Sequence, residues 1–140
     1  MRKLVVAGTN YINNGLYPKI LEFLKHATLE DLGGELRDAY TRVAPNPEDW
    51  PTLVAKVTKL GVEFKGWRPE DIQFINAPAM VMIGDADIVR PEHAVQMFRL
   101  LPHAQLTVLP GTDHWAPVQR PDWIVPMIKA FLDAPMPKAK

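Results

Sequence analysis

The sequence predicts an α/β fold: a three-stranded parallel sheet flanked by helices, with a helical insertion between the first and second strands. Three observations carry this expectation. Short apolar runs closed by glycine or proline recur at 3–8, 79–84 and 104–111, and each reads as a strand. The second and third runs alternate with helical patterns, an order that calls for right-handed crossovers in a parallel sheet. About 70 residues separate the first two runs, against ~10–15 for an ordinary crossover, so the intervening stretch reads as a lid or cap.

The first run, "KLVVAG", is rich in valine and closed by Gly8, and it predicts a buried parallel strand. Nothing precedes it to cover one sheet edge. Residues 16–68 then read as the cap. Pro18 opens a helix whose apolar stripe is Ile20, Leu21, Phe23 and Leu24. A second helix is expected over 29–43, weakened by Gly33 and Gly34. A third starts near Pro47, carries Trp50, Leu53, Val54, Val57 and Leu60 at helical spacing, and is expected to stop at Gly61. The segment "RPEDIQFI" reads as a short turn.

"AMVMIG" (79–84) is the second strand. Pro91 then starts a helix with Ala94, Val95, Phe98 and Leu101 facing inward, leaving His93 and His103 as surface residues beside it. "AQLTVLPG" (104–111) is the third strand. The last helix, "RPDWIVPMIKAFLD", has Trp123, Ile124, Met127, Ile128 and Phe131 as its apolar residues, and Pro126 costs it one hydrogen bond near its start. The tail "APMPKAK" is expected to fray.

Composition narrows the function. Of 140 residues, 47% are hydrophobic and 23% charged, the net charge is zero, and one globular domain is the expectation. That balance gives no pull toward nucleic acid or an acidic membrane. No run is long enough to span a bilayer, and the apolar stretch after Met1 is too short for a signal peptide, so the default compartment is the cytoplasm. The chain has no cysteine, which excludes disulfides, thiolate metal sites and cysteine catalysis. The four histidines have no helical i, i+4 pairing, so no metal site and no cofactor are expected. "DAD" (85–87) also looks like a magnesium-binding D-x-D, but a glycine precedes it and no acidic cluster completes it.

Chemistry is expected beyond the carboxyl ends of the strands. Three loops lie there: "GTN" (8–10), "GDADIV" (84–89) and "PGTDHW" (110–115). Asp87 and His114 follow consecutive strands of one βαβ unit. If those strands are neighbours, the carboxylate can orient the imidazole, fix its tautomer and stabilise its charged form. Asp85 and Asp113 read as loop-shaping carboxylates that bond nearby backbone N–H groups. Thr9, Asn10 and Trp115 are the candidate substrate-binding residues. Trp115, Trp50, Trp67 and Tyr11 are candidate walls of an apolar pocket. Thr9 is the only hydroxyl ending the first strand, but it is expected two strands from His114, ~9–10 Å at ordinary strand spacing, too far for direct activation.

The series strand, G-x-x-D-x-V, helix, strand, P-G-x-x-H, helix resembles the second half of an α/β-hydrolase. There the acid follows the seventh strand, as at Gly84–Asp87, and the histidine follows the eighth, as at Pro110–His114. "KLVVAG" is similar to that family's sixth strand, and the helical insertion falls where the family places its cap. The resemblance implies a truncated α/β-hydrolase with Asp87 and His114 as the acid and base, acting on small ester-like substrates. The chain departs from the family in having no G-x-S-x-G and no serine anywhere. Two functions follow: a weak ester hydrolase using Asp87 and His114 alone, or a non-catalytic binding or assembly module or inactive fragment of a larger hydrolase. Either way the bare first-strand edge implies a homo-oligomer in which Leu4–Ala7 pairs across an interface or lies beneath a partner's cap.

Overall fold

The structure, a computed structural model, describes residues 2–136. Residues 137–140, where most of the expected fraying of the tail falls, lie outside the described residues. Two compact units divide the chain: Met1–Tyr17 with Gly66–Lys140, and Pro18–Lys65.

The first unit is built on one parallel sheet. Its strands are β1 (Leu4–Ala7), β2 (Ala79–Gly84) and β3 (Ala104–Leu109), in the order β1-β2-β3. Register is continuous from Leu4 opposite Ala79 to Ala7 opposite Met82, and from Ala79 opposite Ala104 to Gly84 opposite Leu109. Every residue of β2 is buried. An unbroken apolar run suits a central strand covered on both faces. On one face Met80, Met82 and Leu109 pack with Ile124 and Phe131 of α7 (Pro121–Asp133) and with Ala116 of α6 (Ala116–Gln119). Residues alternate across a strand, so Val81 and Ile83 point to the other face, where α5 (Pro91–Leu100) packs on β2 and β3.

β1 departs from the buried strand expected. It is parallel to β2, but Leu4, Val5 and Val6 are only half-buried and Ala7 is exposed. The cause is its position: among the described residues β1 pairs with β2 alone. Its N-terminal side is nonetheless anchored. The Lys3 ammonium donates to the carbonyls of Phe131 (2.6 Å) and Leu132 (2.9 Å), and also to that of Ala134. These are the unpaired carbonyls at the end of α7, where a cation is favourable.

Residues 68–75 contain a short helix, α4 (Pro69–Gln73), where only a turn was expected. Pro69 at its first position is pre-set for a helix. The Asp71 carboxylate reaches back to accept from the Arg68 backbone N–H at 3.1 Å, half of a capping box.

The second unit is helical: α1 (Pro18–His26), α2 (Glu35–Val43) and α3 (Trp50–Glu63). α1 and α2 each contact α3, and Tyr40 of α2 packs at 5.5 Å from Trp50. Two boundaries differ from expectation. Residues 29–34 are turns rather than helix, because two consecutive glycines are the poorest available helix formers and α2 begins only after them. Gly61 does not stop α3, which runs on to Glu63. A Cβ at Gly61 would meet Leu24 Cδ1 at 3.3 Å, so this glycine serves the approach of α1 to α3.

Candidate active site

The Asp87 and His114 loops meet because a strand end lacks a side chain. A Cβ at Gly84 would stand 2.3 Å from the Thr112 carbonyl oxygen. With only hydrogen there, the β3 loop folds down onto the end of β2. Ala86 N–H then donates to Thr112 O at 3.0 Å and Asp85 N–H to Leu109 O at 3.1 Å. The Asp85 carboxylate returns the contact, accepting from Gly111 N–H (2.9 Å) and Thr112 N–H (3.2 Å). Asp113 accepts from Trp115 N–H at 2.8 Å. Both aspartates therefore shape loops, as their positions in the sequence suggest. The buried Thr112 hydroxyl donates to Leu109 O at 3.0 Å and closes the turn.

Within this frame His114 Nδ1 lies 2.8 Å from Asp87 Oδ1. Val89 N–H also donates to that oxygen, at 3.1 Å, the local pattern of an aspartate that folds its own loop. Asp87 is 5% exposed. Burial pushes its carboxyl pKa up, but the bonds from His114 and Val89 outweigh it and hold the group below the usual carboxylate range. An ionised carboxylate can only accept, so the proton sits on Nδ1 and leaves Nε2 as the basic nitrogen of the neutral ring. The bond to Asp87 raises the His114 pKa above its ordinary 6.5, against the opposing effect of burial.

Gly8 completes the enclosure. It has φ of 55°, and a Cβ there would lie 3.0 Å from His114 Nδ1 and 3.2 Å from Asp87 Oδ2. The strand neighbouring β2 thus ends directly against the pair. A cavity of ≈ 20 Å³ lies among Gly8, Asp87, Asp113 and His114, roomy enough for about one water.

The other candidate residues are placed elsewhere. Thr9 and Asn10 line a larger apolar cavity of ≈ 240 Å³ beside β1, on the face of Leu4 and Val6, together with Tyr11 and Trp67. Neither lines the smaller cavity at the pair. Asn10 Nδ2 donates to Ile12 O at 3.0 Å. Trp115 lines neither cavity and is 43% exposed. Trp50 is a buried residue of the helical unit. The apolar pocket therefore keeps Tyr11 and Trp67 of the four aromatics expected.

His93 corrects the sequence reading most sharply. Expected at the surface, it is 2% exposed. Its ring stacks on Tyr11 at 4.5 Å, and its Nε2 accepts from Tyr11 N–H at 3.2 Å. Gly15 packs against the ring. Burial, with Arg90 nearby, holds its pKa below 6.5, so the neutral ring is the one that fits. The signal available was its place one residue before Ala94 on the helix face that turns inward. Among the described residues no group of three or more His, Cys, Asp or Glu side chains is placed to hold a metal, and no helix is long and apolar enough to cross a membrane.

No family model matches the chain. Solved structures do. An α/β-hydrolase enzyme from a Medee basin deep-sea metagenome library has a TM-score of 0.69 at 13% identity, covering 99% of this chain and 58% of that one. A meta-cleavage product hydrolase from Pseudomonas fluorescens has a TM-score of 0.63 at 14% identity, covering 94% and 56%. A thermophilic esterase from Thermogutta terrifontis has a TM-score of 0.57 at 19% identity, covering 93% and 55%. The chain has the α/β-hydrolase fold, and it spans about half the length of the solved chains it matches.

Proposed function

We propose that this is a hydrolase-like protein in which His114, oriented by Asp87, acts as general base on water and turns over small activated esters slowly. One observation carries the reading: a 2.8 Å bond from His114 Nδ1 to a buried carboxylate, beside a cavity the size of one water. Nε2 takes a proton from a water as the oxygen of that water attacks the ester carbonyl. The tetrahedral adduct collapses with loss of the alkoxide or phenolate, which takes up the proton from the imidazolium. Asp87 holds the imidazolium while it exists. General-base assistance supplies ~10²–10⁴-fold, so turnover is slow compared with a nucleophile-bearing hydrolase. These 140 residues contain no serine or cysteine, so none of them forms an acyl-enzyme through either. The Thr112 hydroxyl is already committed to Leu109 O.

The test is hydrolysis of p-nitrophenyl acetate by the purified protein and by His114→Ala. The expected result is loss of the enzymatic rate in the variant; equal rates would remove His114 from the chemistry.

A second reading is favoured by the unpaired side of β1 and by the half-length match to solved hydrolases. In it, the chain is an assembly module or one part of a larger hydrolase, and any nucleophile comes from outside these 140 residues. A folded protein inert toward a panel of esters would favour this reading over the first.

A further inference from the structure

Residues 8–17 form a strap that begins and ends at the Asp87–His114 pair. At its start, Gly8 lies against the two side chains themselves. At its end, Leu16 bridges Val89 in antiparallel fashion, Tyr17 N–H donates to Ile88 O at 3.2 Å, and Arg90 N–H donates to Gly15 O at 2.8 Å. Ile88–Arg90 is the stretch that follows Asp87, and Val89 N–H donates to Asp87 Oδ1. The middle of the strap sits on His93 of α5. Tyr11, 3% exposed, stacks on the ring with 19° between the planes and donates its N–H to Nε2. Gly15 lies so near the ring that a Cβ there would stand 2.4 Å from His93 Cδ2.

This arrangement accepts the neutral ring alone. With Nε2 accepting, the neutral ring carries its proton on Nδ1. A second proton would sit on Nε2 and face the Tyr11 N–H, donor against donor, in a buried site. Turning the ring over does not help, because both nitrogens then donate. The surroundings do not absorb the charge either. Arg90, at the start of α5, is itself a cation, and the Tyr11 phenol is neutral, its pKa raised by burial. β2, β3 and residues 13–15 bring no charge to α5. α4 packs on α5 and carries Glu70 and Asp71, whose charges act on Arg68. On α5 itself Glu92 and Arg99 are exposed. Gln96, one turn along, favours a charged ring, but burial and Arg90 outweigh it.

We propose that His93 is a positioning residue for the Asp87–His114 pair: as a neutral ring it fixes residues 11–17 and, through them, the loop 87–90, and when it takes up a proton the strap lifts and the pair parts. The proposal concerns the geometry of the pair and holds whether or not the pair is catalytic; only its effect on ester hydrolysis rests on the reading above. Acid separates it from the alternative. Charging His114 by itself strengthens its bond to Asp87, so a pair independent of His93 survives until Asp87 protonates, below 3.8. A pair positioned by His93 is lost earlier, between 6.5 and 3.8, as His93 charges.

The test is NMR of the full chain with isotope-labelled histidine, read from the Nδ1–H resonance of His114, which its bond to Asp87 shifts downfield. In the wild type this resonance is expected to disappear between pH 6.5 and 3.8, at the midpoint where the His93 ring itself titrates. Deuterium exchange of amides 11–17 should quicken over the same interval while 79–84 stay protected. His93→Gln keeps an acceptor but cannot titrate, so its His114 resonance should persist until Asp87 protonates. His93→Phe fills the site without an acceptor; it is expected to bring the His114 pKa down toward 6.5, with circular dichroism reporting that the sheet is intact. If that variant does not fold, the contrast between wild type and His93→Gln decides alone. With p-nitrophenyl acetate at about pH 8, His93→Phe should lose ~10²-fold in rate and His93→Gln should recover most of it. An ester rate untouched by His114→Ala removes the esterase reading and leaves the resonance test standing. A wild-type His114 resonance that survives the titration of His93 overturns the proposal. So does a His93→Gln variant that loses the resonance at the wild-type midpoint. Loss of protection at 79–84 together with 11–17 also overturns it, because the event would then be opening of the sheet and not release of the strap.

Discussion

Gly8 decides how close β1 comes to the histidine. Its φ of 55° lies in the left-handed region, and there is no free space where a methyl group would stand. Gly8→Ala is expected to cost ~1–2 kcal/mol in backbone conformation alone, seen as a lower denaturant midpoint, and to displace the His114 ring as well. Asp87→Asn tests the pair differently. It removes the charge that raises the His114 pKa, so the imidazole should titrate at lower pH, which an NMR titration reads directly. Esterase activity, if driven by His114, should fall by ~10²-fold or more with it. In the wild type that activity should rise with pH as the ring deprotonates, with its midpoint above 6.5.

The same groups set the sign of stability against pH. His114 has a raised folded pKa, so its contribution is complete below 6.5 and lost as pH rises through the folded value. His93 has a lowered folded pKa, so its neutral fit costs stability as pH falls below 6.5. Asp87, lowered from 3.8, loses its contribution only as pH falls through a still lower value. Together these three groups predict a stability maximum near pH 6.5, and chemical denaturation from pH 4 to 9 checks it. In His93→Gln the acid-side decline between 6.5 and the folded value should flatten. An unchanged profile would mean that His93 does not titrate in this range.

At the scale of elements, the contact of the β2 and β3 loops is the feature most exposed to substitution. Gly84→Ala drives a methyl group into the Thr112 carbonyl at 2.3 Å, an overpacking expected to cost ~1–3 kcal/mol. It should also separate Asp87 from His114, and thermal melting with an NMR titration of His114 would detect both effects. These elements also mark what the sequence made legible. The β2 bounds were readable because an unbroken apolar run ending in glycine has few alternatives to a central strand. Asp87 and His114 were readable because each follows such a strand by a fixed short step. Gly84 and Gly8 were visible as strand ends, but their contacts depend on neighbouring strands that sequence spacing does not locate. His93 was misplaced because a histidine beside a proline-led helix start reads as solvent-facing until Tyr11, 82 positions away, is seen to cover it. Residues 68–75 looked like a turn because five helical residues are too few to display a period.

At the scale of the molecule, the two units should differ in local stability. α1 and α2 bury no residue, whereas β2 buries all six. Amides of 18–26 and 35–43 are therefore expected to exchange with deuterium well before those of 79–84; equal protection would mean that the helical unit opens only with the sheet. The alternation of strands and helices made the sheet legible from sequence. The separate helical unit was legible only as an overlong interval, since chain length says where a segment cannot be a crossover but not how it packs.

The pairing of Leu4 with Ala79, and the Lys3 clasp to Ala134 across 131 positions, have a consequence for synthesis. On the ribosome, β1 emerges long before either of its own partners. Until β2 clears the exit tunnel, Leu4–Ala7 is an apolar segment whose pairing with Ala79–Met82 has not formed, while the nearby helices can coil locally. This interval is when nascent chains are most open to capture by one another or by a chaperone. Slowing translation between codons 10 and 78 should therefore lower the soluble yield, whereas slowing it after codon 111 should leave the yield nearly unchanged.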